Sequence, residues 1–364
     1  MNASSFFPAL PALVRLSQQT AAPFQALVRT TGYKLRPPRA LVHSPAVTAR
    51  QAPLLASGLV GPQARAEIRV EERTGTLPTI VVGGFVPDAT EAFYLLRGGL
   101  LRHGSVFYFN YPRRGFSTDL FLAQLEDLIE EITTQRRQRP ALIAVSFGAG
   151  LALELLRRTA ARGVALPLAG LTLVSPVACT ADLIDVLAPK PTTLLGRVIL
   201  PYLRGTATPD GAIVEKSRAV FLRMFESGAQ NRSALRFLLT RAEIGRLRDA
   251  VIGSINAIDA AGAFERVRAL NHFAAPGEPR PLFTGPTLVL YAEKESAVLQ
   301  ENAPTWREFS ARTGAWFPQG RCVVVTNHAD HPVQHASLIF HSRNFEPHLA
   351  QLYRAIRQHH LRAA

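Results

Sequence analysis

The sequence predicts an α/β protein built on a doubly wound, mostly parallel sheet. Three observations predict it. From residue 67 onward, short β-branched runs alternate with longer helical patterns. Several of the runs are apolar at consecutive positions, as strands buried on both faces are. The segments between them carry a single apolar stripe at helical spacing. Strand–helix alternation of this kind implies a parallel sheet with helices on both sides.

Taken in order, residues 1–65 read as a Pro-rich arm. Leu10, Leu13, Val14 and then Phe24, Leu27, Val28 recur at helical spacing, but Pro8, Pro11, Pro23, Pro37, Pro38, Pro45, Pro53 and Pro62 keep interrupting. With prolines inside the first apolar stretch and no basic region before it, the segment is not expected to be a secretory signal. A peripheral membrane contact, with Arg15 and Arg29 on the polar side, competes with an arm packed on the domain, and the packed arm is the reading adopted. The α/β core is expected over 66–175 and 286–364. Its strands fall at Glu67–Glu72, Thr79–Val82, Ser105–Asn110, Ala141–Val145, Leu171–Ser175, Thr287–Tyr291 and Cys322–Thr326. Helices are expected at Asp119–Arg137, from the stripe Phe121, Leu125, Leu128, Ile129 and Ile132, and at Ser337–Arg357, from Phe345, Leu349, Leu352 and Ile356. No strand pattern occurs between Ser175 and Thr287. That interval predicts helices at 211–227, 233–253 and 257–270 after a looser start at 180–205. Residues 176–285 therefore read as a helical cap inserted before the penultimate strand, at the strand ends where open α/β sheets bind ligands.

Composition narrows the functional classes. With 364 residues, 47% of them apolar, the chain has enough material for a large core, which excludes disorder along its whole length. The net charge is +14, and of 41 basic residues only Lys34, Lys190, Lys216 and Lys294 are lysine. The arginines are scattered; the densest stretch is Arg136, Arg137 and Arg139. Lacking a basic run or a reading module, the chain is not expected to bind nucleic acid. Two cysteines, Cys179 and Cys322, are too few for a disulfide framework, so a reducing, cytoplasmic setting is expected. The longest charge-free apolar run, Ala141 to Leu153, is shorter than the about 20 residues a membrane-spanning helix needs.

The sharpest signal is Ala141-Leu-Ile-Ala-Val-Ser146-Phe-Gly-Ala-Gly150. A buried strand runs straight into a helix through a serine flanked by small residues. Lifting a serine hydroxyl above a sheet demands a sharp, strained reversal, and the residues two before and two after it, Ala144 and Gly148, must be small because they meet. The helix begins at the serine, so its free N–H groups point toward any negative charge that develops there.

At this point the chain resembles the α/β-hydrolase superfamily, in outline over 67–357. The elbow of that family is usually Gly-x-Ser-x-Gly; here Ala144 takes the first small position. Val81-Val-Gly83-Gly84-Phe85 resembles the family's oxyanion loop, with Gly83 in place of a histidine, and Asn110-Tyr-Pro-Arg-Arg-Gly-Phe-Ser117 resembles its Arg-Gly turn. The resemblance implies a serine nucleophile, Ser146, and oxyanion donors at the backbone N–H groups of Phe85 and Phe147. The segment Pro286–Val298 resembles the strand and turn that carry the family's acid, which puts Glu295 in that role, with Glu293 as the alternative. Three histidines share one loop. His335 is preferred because the stretch from it to the last helix resembles the family's; His331 and His328 remain alternatives. A metal reading of His328, Asp330, His331 and His335 is set aside, since no His-Glu-x-x-His pattern accompanies them.

The implied function is a serine hydrolase of the esterase, lipase or thioesterase type. It would cleave a carboxylic ester or thioester with an apolar acyl part through an acyl-enzyme, and needs no cofactor or metal. Two alternatives stay open: an acyltransferase using the same triad, and a non-catalytic binding protein that keeps the fold alone.

Overall fold

The computed structural model describes residues 40–58, 61–185, 188, 190–205, 210–229, 239–327 and 331–363. The helical spacing noted before residue 40, the start of the helix expected at 233–253, His328 and Asp330 lie outside these residues. Among the described residues no helix is long and apolar enough to cross a membrane.

The strands are β1 (Leu41–His43), β2 (Glu67–Glu71), β3 (Thr79–Val82), β4 (Val106–Asn110), β5 (Ala141–Val145), β6 (Gly170–Val174), β7 (Thr287–Ala292) and β8 (Gly320–Val325). They form one eight-stranded sheet in the order β1-β2-β4-β3-β5-β6-β7-β8. β2 pairs antiparallel with both β1 and β4, and all other neighbours are parallel, so the sheet is mostly parallel as the sequence predicts. β1, inside the segment read as an arm, was not foreseen: Leu41 and Val42 are exposed on an outermost strand, so no apolar pattern announces it.

Among the described residues the α-helices are α1 (Ala52–Ala56), α2 (Ala89–Ala92), α3 (Arg97–Leu100), α4 (Thr118–Gln135), α5 (Phe147–Ala161), α6 (Leu194–Arg204), α7 (Gly211–Gly228), α8 (Arg241–Asn256), α9 (Ala260–Ala269), α10 (Pro304–Trp316) and α11 (Ser342–Ala363). The central strands are buried throughout because successive side chains feed two separate cores. Ile80 and Val82 of β3, with Leu142 and Ala144 of β5, join the apolar faces of α4 and α5. Val81, Ile143 and Val145 point the other way, toward α2, α3 and α11. Consecutive apolar residues are the sequence mark of that arrangement.

α6 to α9 lie between β6 and β7. They are tied down at the start by Asp182, fully buried, whose carboxylate accepts from Ala178 N (2.8 Å), Thr305 N (2.9 Å) and Thr305 Oγ1 (2.7 Å). That single side chain joins the exit from β6 to the first turn of α10, a helix the sequence analysis did not single out. Farther along, Val251 and Ile255 of α8 pack with Ile339 and Phe340, just beyond the histidine loop.

The last helix starts at Ser342, five residues later than its periodicity suggests. Ala336 adopts a positive φ of 51°, which no helix tolerates, and residues 335–341 form a turn ahead of α11.

Candidate active site

Ser146 stands at the join of β5 and α5 with φ 51° and ψ −115°. A non-glycine residue held there is strained and persists only where its surroundings overdetermine it. They do so here. Its N–H donates to Val174 O (2.8 Å), and its carbonyl accepts from Gly150 N (3.1 Å) and Val177 N (3.2 Å). The small residues are demanded by contact: a Cβ on Gly148 would stand 2.2 Å from Gly83 O, and one on Gly150 would stand 2.0 Å from Val177 O. The hydroxyl is at the N-terminal end of α5, where the backbone N–H of Phe147 has no partner within the helix.

His335 Nε2 lies 2.9 Å from Ser146 Oγ, and its Nδ1 is hydrogen-bonded to Glu295 Oε2. A carboxylate at Nδ1 assigns the proton to that nitrogen and leaves Nε2 as the acceptor for the serine hydroxyl. Both side chains are nearly buried, at 9% and 12% exposure, so little water competes for these bonds. Glu295 is itself held: Oε1 accepts from Ala292 N (2.7 Å) and from Ser175 Oγ (2.7 Å). The loop reaches this position because its backbone pairs with the turn after β7, through Lys294 N to Val333 O (3.0 Å) and His335 N to Lys294 O (3.1 Å).

Glu293 and His331, the alternatives among the described residues, are placed elsewhere. Glu293 accepts from Asn327 N (3.0 Å) and Val333 N (2.7 Å), so it clasps the two ends of the histidine loop and does not bond to His335. His331 is exposed; its carbonyl accepts from Asn327 Nδ2 (2.7 Å), and no bond joins its ring to Ser146 or Glu295. Among the described residues no three His, Cys, Asp or Glu side chains gather in a way that could hold a metal ion.

On the other side of Ser146 runs the glycine loop after β3. A Cβ on Gly84 would stand 3.3 Å from Ser146 Cβ, so this backbone passes directly against the hydroxyl-bearing carbon. The rings of Phe85 and Phe147 stack with centroids 4.3 Å apart and 9° between planes, which brings the two expected donor residues together. Tyr111 OH donates to Gly83 O (2.9 Å).

Above the serine is a cavity of about 360 Å³, within the usual range of small-molecule sites. Ser146 and His335 line it, with Leu195, Phe221, Met224 and Phe225 contributed by the helices between β6 and β7. Among the described residues Arg223 is the one permanently charged side chain in the lining.

Two groups that matter here were missed by sequence reasoning. Ser175, the first residue after β6, has φ 45° and donates to the glutamate. Its position at the carboxyl end of the strand beside the one that leads to Ser146 was the available signal. Tyr111 had none, because its partner is a backbone carbonyl brought near only by the fold.

On α2, Glu91 has a buried Oε2 with no hydrogen-bond partner among the described residues. Burial, and next the charge of Asp88, push its carboxyl up to about 7. Asp88 in turn is paired with Arg113 at 2.5 Å. Because the folded value lies above the unfolded one, the stability Glu91 contributes is complete below about pH 4.5 and is lost as pH rises through about 7. Wild-type protein is therefore expected to lose up to about 3 kcal/mol between those limits that Glu91→Gln keeps. Chemical denaturation at pH 5 and pH 8 checks this; a difference that does not change with pH would show the carboxylate ionised throughout.

A family model described as the alpha/beta hydrolase family matches residues 81–344. Among curated proteins nothing matches the sequence. Solved structures share the fold at low identity. A thermophilic esterase from Thermogutta terrifontis is 18% identical with a TM-score of 0.51, over 80% of this chain and 94% of its own. A bromoperoxidase from Bacillus anthracis is 16% identical with a TM-score of 0.51, over 79% and 96%. A membrane phospholipase A, described as a bacterial virulence factor, is 15% identical with a TM-score of 0.54, over 96% of both chains.

Proposed function

Since the chain belongs to the alpha/beta hydrolase family and has its fold, we propose that it is a serine hydrolase cleaving carboxylic esters or thioesters through an acyl-enzyme on Ser146. The observation that carries this reading is the continuous hydrogen-bonded chain Ser146–His335–Glu295 beside a cavity.

Ser146 Oγ attacks the acyl carbonyl while His335 Nε2 takes its proton. Glu295 holds the imidazole in the required tautomer and stabilises the imidazolium that forms. The N–H groups of Phe85 and Phe147 receive the oxyanion; losing one such donor typically costs about 2.7–4 kcal/mol of barrier. His335 then returns the proton to the leaving group and activates the water that releases the acid. These steps need neither metal nor organic cofactor. Residues 176–285 act as a cap, and the apolar side chains they place over Ser146 favour a small-molecule substrate with an apolar acyl part. Each methylene that such a surface buries adds roughly 0.8 kcal/mol.

A fluorophosphonate probe is expected to label wild-type protein at Ser146 and to leave Ser146→Ala unlabelled. A panel of p-nitrophenyl esters graded by acyl length should then show kcat/KM rising with chain length until the cavity is filled. Folded protein that takes no label would refute the reading. Labelling with no hydrolysis of any ester, but with transfer of the ester's acyl group to an added alcohol and release of p-nitrophenol, would redirect it to an acyltransferase.

A further inference from the structure

Arg266 on α9 is the largest fully buried side chain among the described residues, at 2% exposure, and it faces the active-site loops rather than solvent. Its Nη2 donates to Pro112 O, its Nη1 lies 3.5 Å from Phe85 O, and its guanidinium carbon is 4.8 Å from the centroid of the Tyr111 ring. Among the described residues no carboxylate lies within ion-pair distance of it: Asp88, the acid whose charge acts on it most, is paired with Arg113, and Arg266 Nε has no hydrogen-bond partner. A buried cation without an ion pair is a poor stabilising device, and an apolar side chain of similar volume often does as well or better. A guanidinium offers instead a rigid planar fork that engages two carbonyls of different loops at once.

Those two carbonyls are informative. The peptide joining Gly84 to Phe85 carries the N–H assigned to the oxyanion. The peptide before it is anchored at Gly83 O by Tyr111 OH (2.9 Å). The peptide after it is approached at Phe85 O by Arg266. The two anchors also touch each other, because the guanidinium lies over the Tyr111 ring. The donor peptide is thus bracketed on both sides by one coupled pair, half of it supplied by the helical segment between β6 and β7. We propose that Arg266 is a positioning residue for the oxyanion loop, setting the Phe85 N–H through the Phe85 carbonyl and Tyr111. This rests on the serine hydrolase reading.

A purely structural role has a built-in comparison. α9 is tethered to the core a second time, by Asp259, which accepts from Gly115 N (3.3 Å) and whose own N–H donates to Arg113 O (3.2 Å). Asp259→Ala keeps the backbone bond to Arg113 O but removes the carboxylate that accepts from Gly115 N and caps the first turn of α9 at Gly262 N (2.6 Å), and among the described residues no hydrogen bond joins that carboxylate to the glycine loop.

The experiment measures kcat and KM for a neutral p-nitrophenyl ester together with the thermal midpoint, in full-length protein whose wild type turns over the ester and takes the fluorophosphonate label. That condition separates failure of the parent reading from failure of this one. Arg266→Met is expected to stay folded and to lose about 10- to 100-fold in kcat with KM within about twofold, as a donor misplaced by a fraction of an ångström would. Arg266→Lys recovers part of the loss. Tyr111→Phe loses kcat in the same way, and the double variant loses less than the product of the two, because both hold one peptide. Asp259→Ala keeps kcat within about threefold. Wild-type kcat in folded Arg266→Met overturns the proposal, as does an equal kcat loss in Asp259→Ala. If Arg266→Met does not fold, Arg266→Lys and Tyr111→Phe decide by the same criteria, and unchanged kcat in both overturns it.

Discussion

His335→Ala is expected to lower kcat by at least about 10⁴-fold with little change in KM, because the proton of the Ser146 hydroxyl then has no acceptor. Members of such a triad act as a unit, and removing the base alone costs nearly as much as removing all three. The bond of 2.9 Å from Nε2 to Ser146 Oγ is the reason the effect is expected at His335 and not at His331. His331→Ala should stay within about twofold of wild type, since its exposed ring touches no member of the chain. Steady-state kinetics on the best ester of the graded panel make the comparison. A loss in His331→Ala as deep as that in His335→Ala would move the base to the other residue. The labelling rate of His335→Ala by the fluorophosphonate should fall in parallel, because attack on phosphorus draws on the same acceptor.

Glu295→Gln is expected to cost about 10⁴-fold in kcat, or roughly 5.5 kcal/mol. An amide at this position keeps the shape. Its NH₂ group would face either His335 Nδ1 or the donors at Ala292 N and Ser175 Oγ, so one of the present bonds must be lost or the imidazole must change tautomer. Glu293→Gln is the matched comparison. Glu293 accepts from two backbone N–H groups, and a glutamine carbonyl accepts from both equally well. That variant should keep kcat within about threefold. Similar losses in the two variants would mean that Glu293 acts through the loop it clasps, with Glu295 contributing nothing special.

The pairs chosen for these comparisons mark where reading the sequence stopped. The serine was legible because its turn imposes local demands: a small residue two positions to either side, a buried strand before and a helix after. Inside the fold the limit at Gly148 comes first from Gly83 O on the neighbouring loop, and Gly150, four positions after the serine, is held small by Val177 O. The central strands were legible for a similar reason, since burial on both faces leaves consecutive apolar residues. β1 left no trace because an exposed edge strand has no such pattern. α10 was not singled out, although Phe309 and Trp316 are spaced seven apart and both are buried.

The dispersed positive charge also acquires a place. Arg50 pairs with Glu130 at 2.9 Å, Arg136 with Glu72 at 2.7 Å and Arg162 with Glu126 at 2.7 Å. The Arg136 guanidinium holds the Glu72 carboxyl down at about 2. Each pair joins segments far apart in sequence, so at these sites arginine laces the surface of the domain together.

By itself, then, the sequence determined the fold class, the sharp turn at Ser146 and a short set of residues that included the two side chains now bonded in line with it. These are consequences of neighbours along the chain: the side-chain period of a buried strand, the steric limits of one sharp turn, the placement of chemistry-bearing residues after strands. Only the tertiary structure shows His335, and not His331, bonded to Ser146, and Glu295, and not Glu293, bonded to that histidine. Those choices depend on which side chain two loops, 40 residues apart in the chain, present to each other. Apart from those to the Glu293 carboxylate, the bonds that align the loops run backbone to backbone, through Lys294, Val333 and His335. Backbone groups are the same at every residue, so no residue type announces them, and the same is true of the carbonyls that Tyr111 and Arg266 hold on the opposite side of the serine.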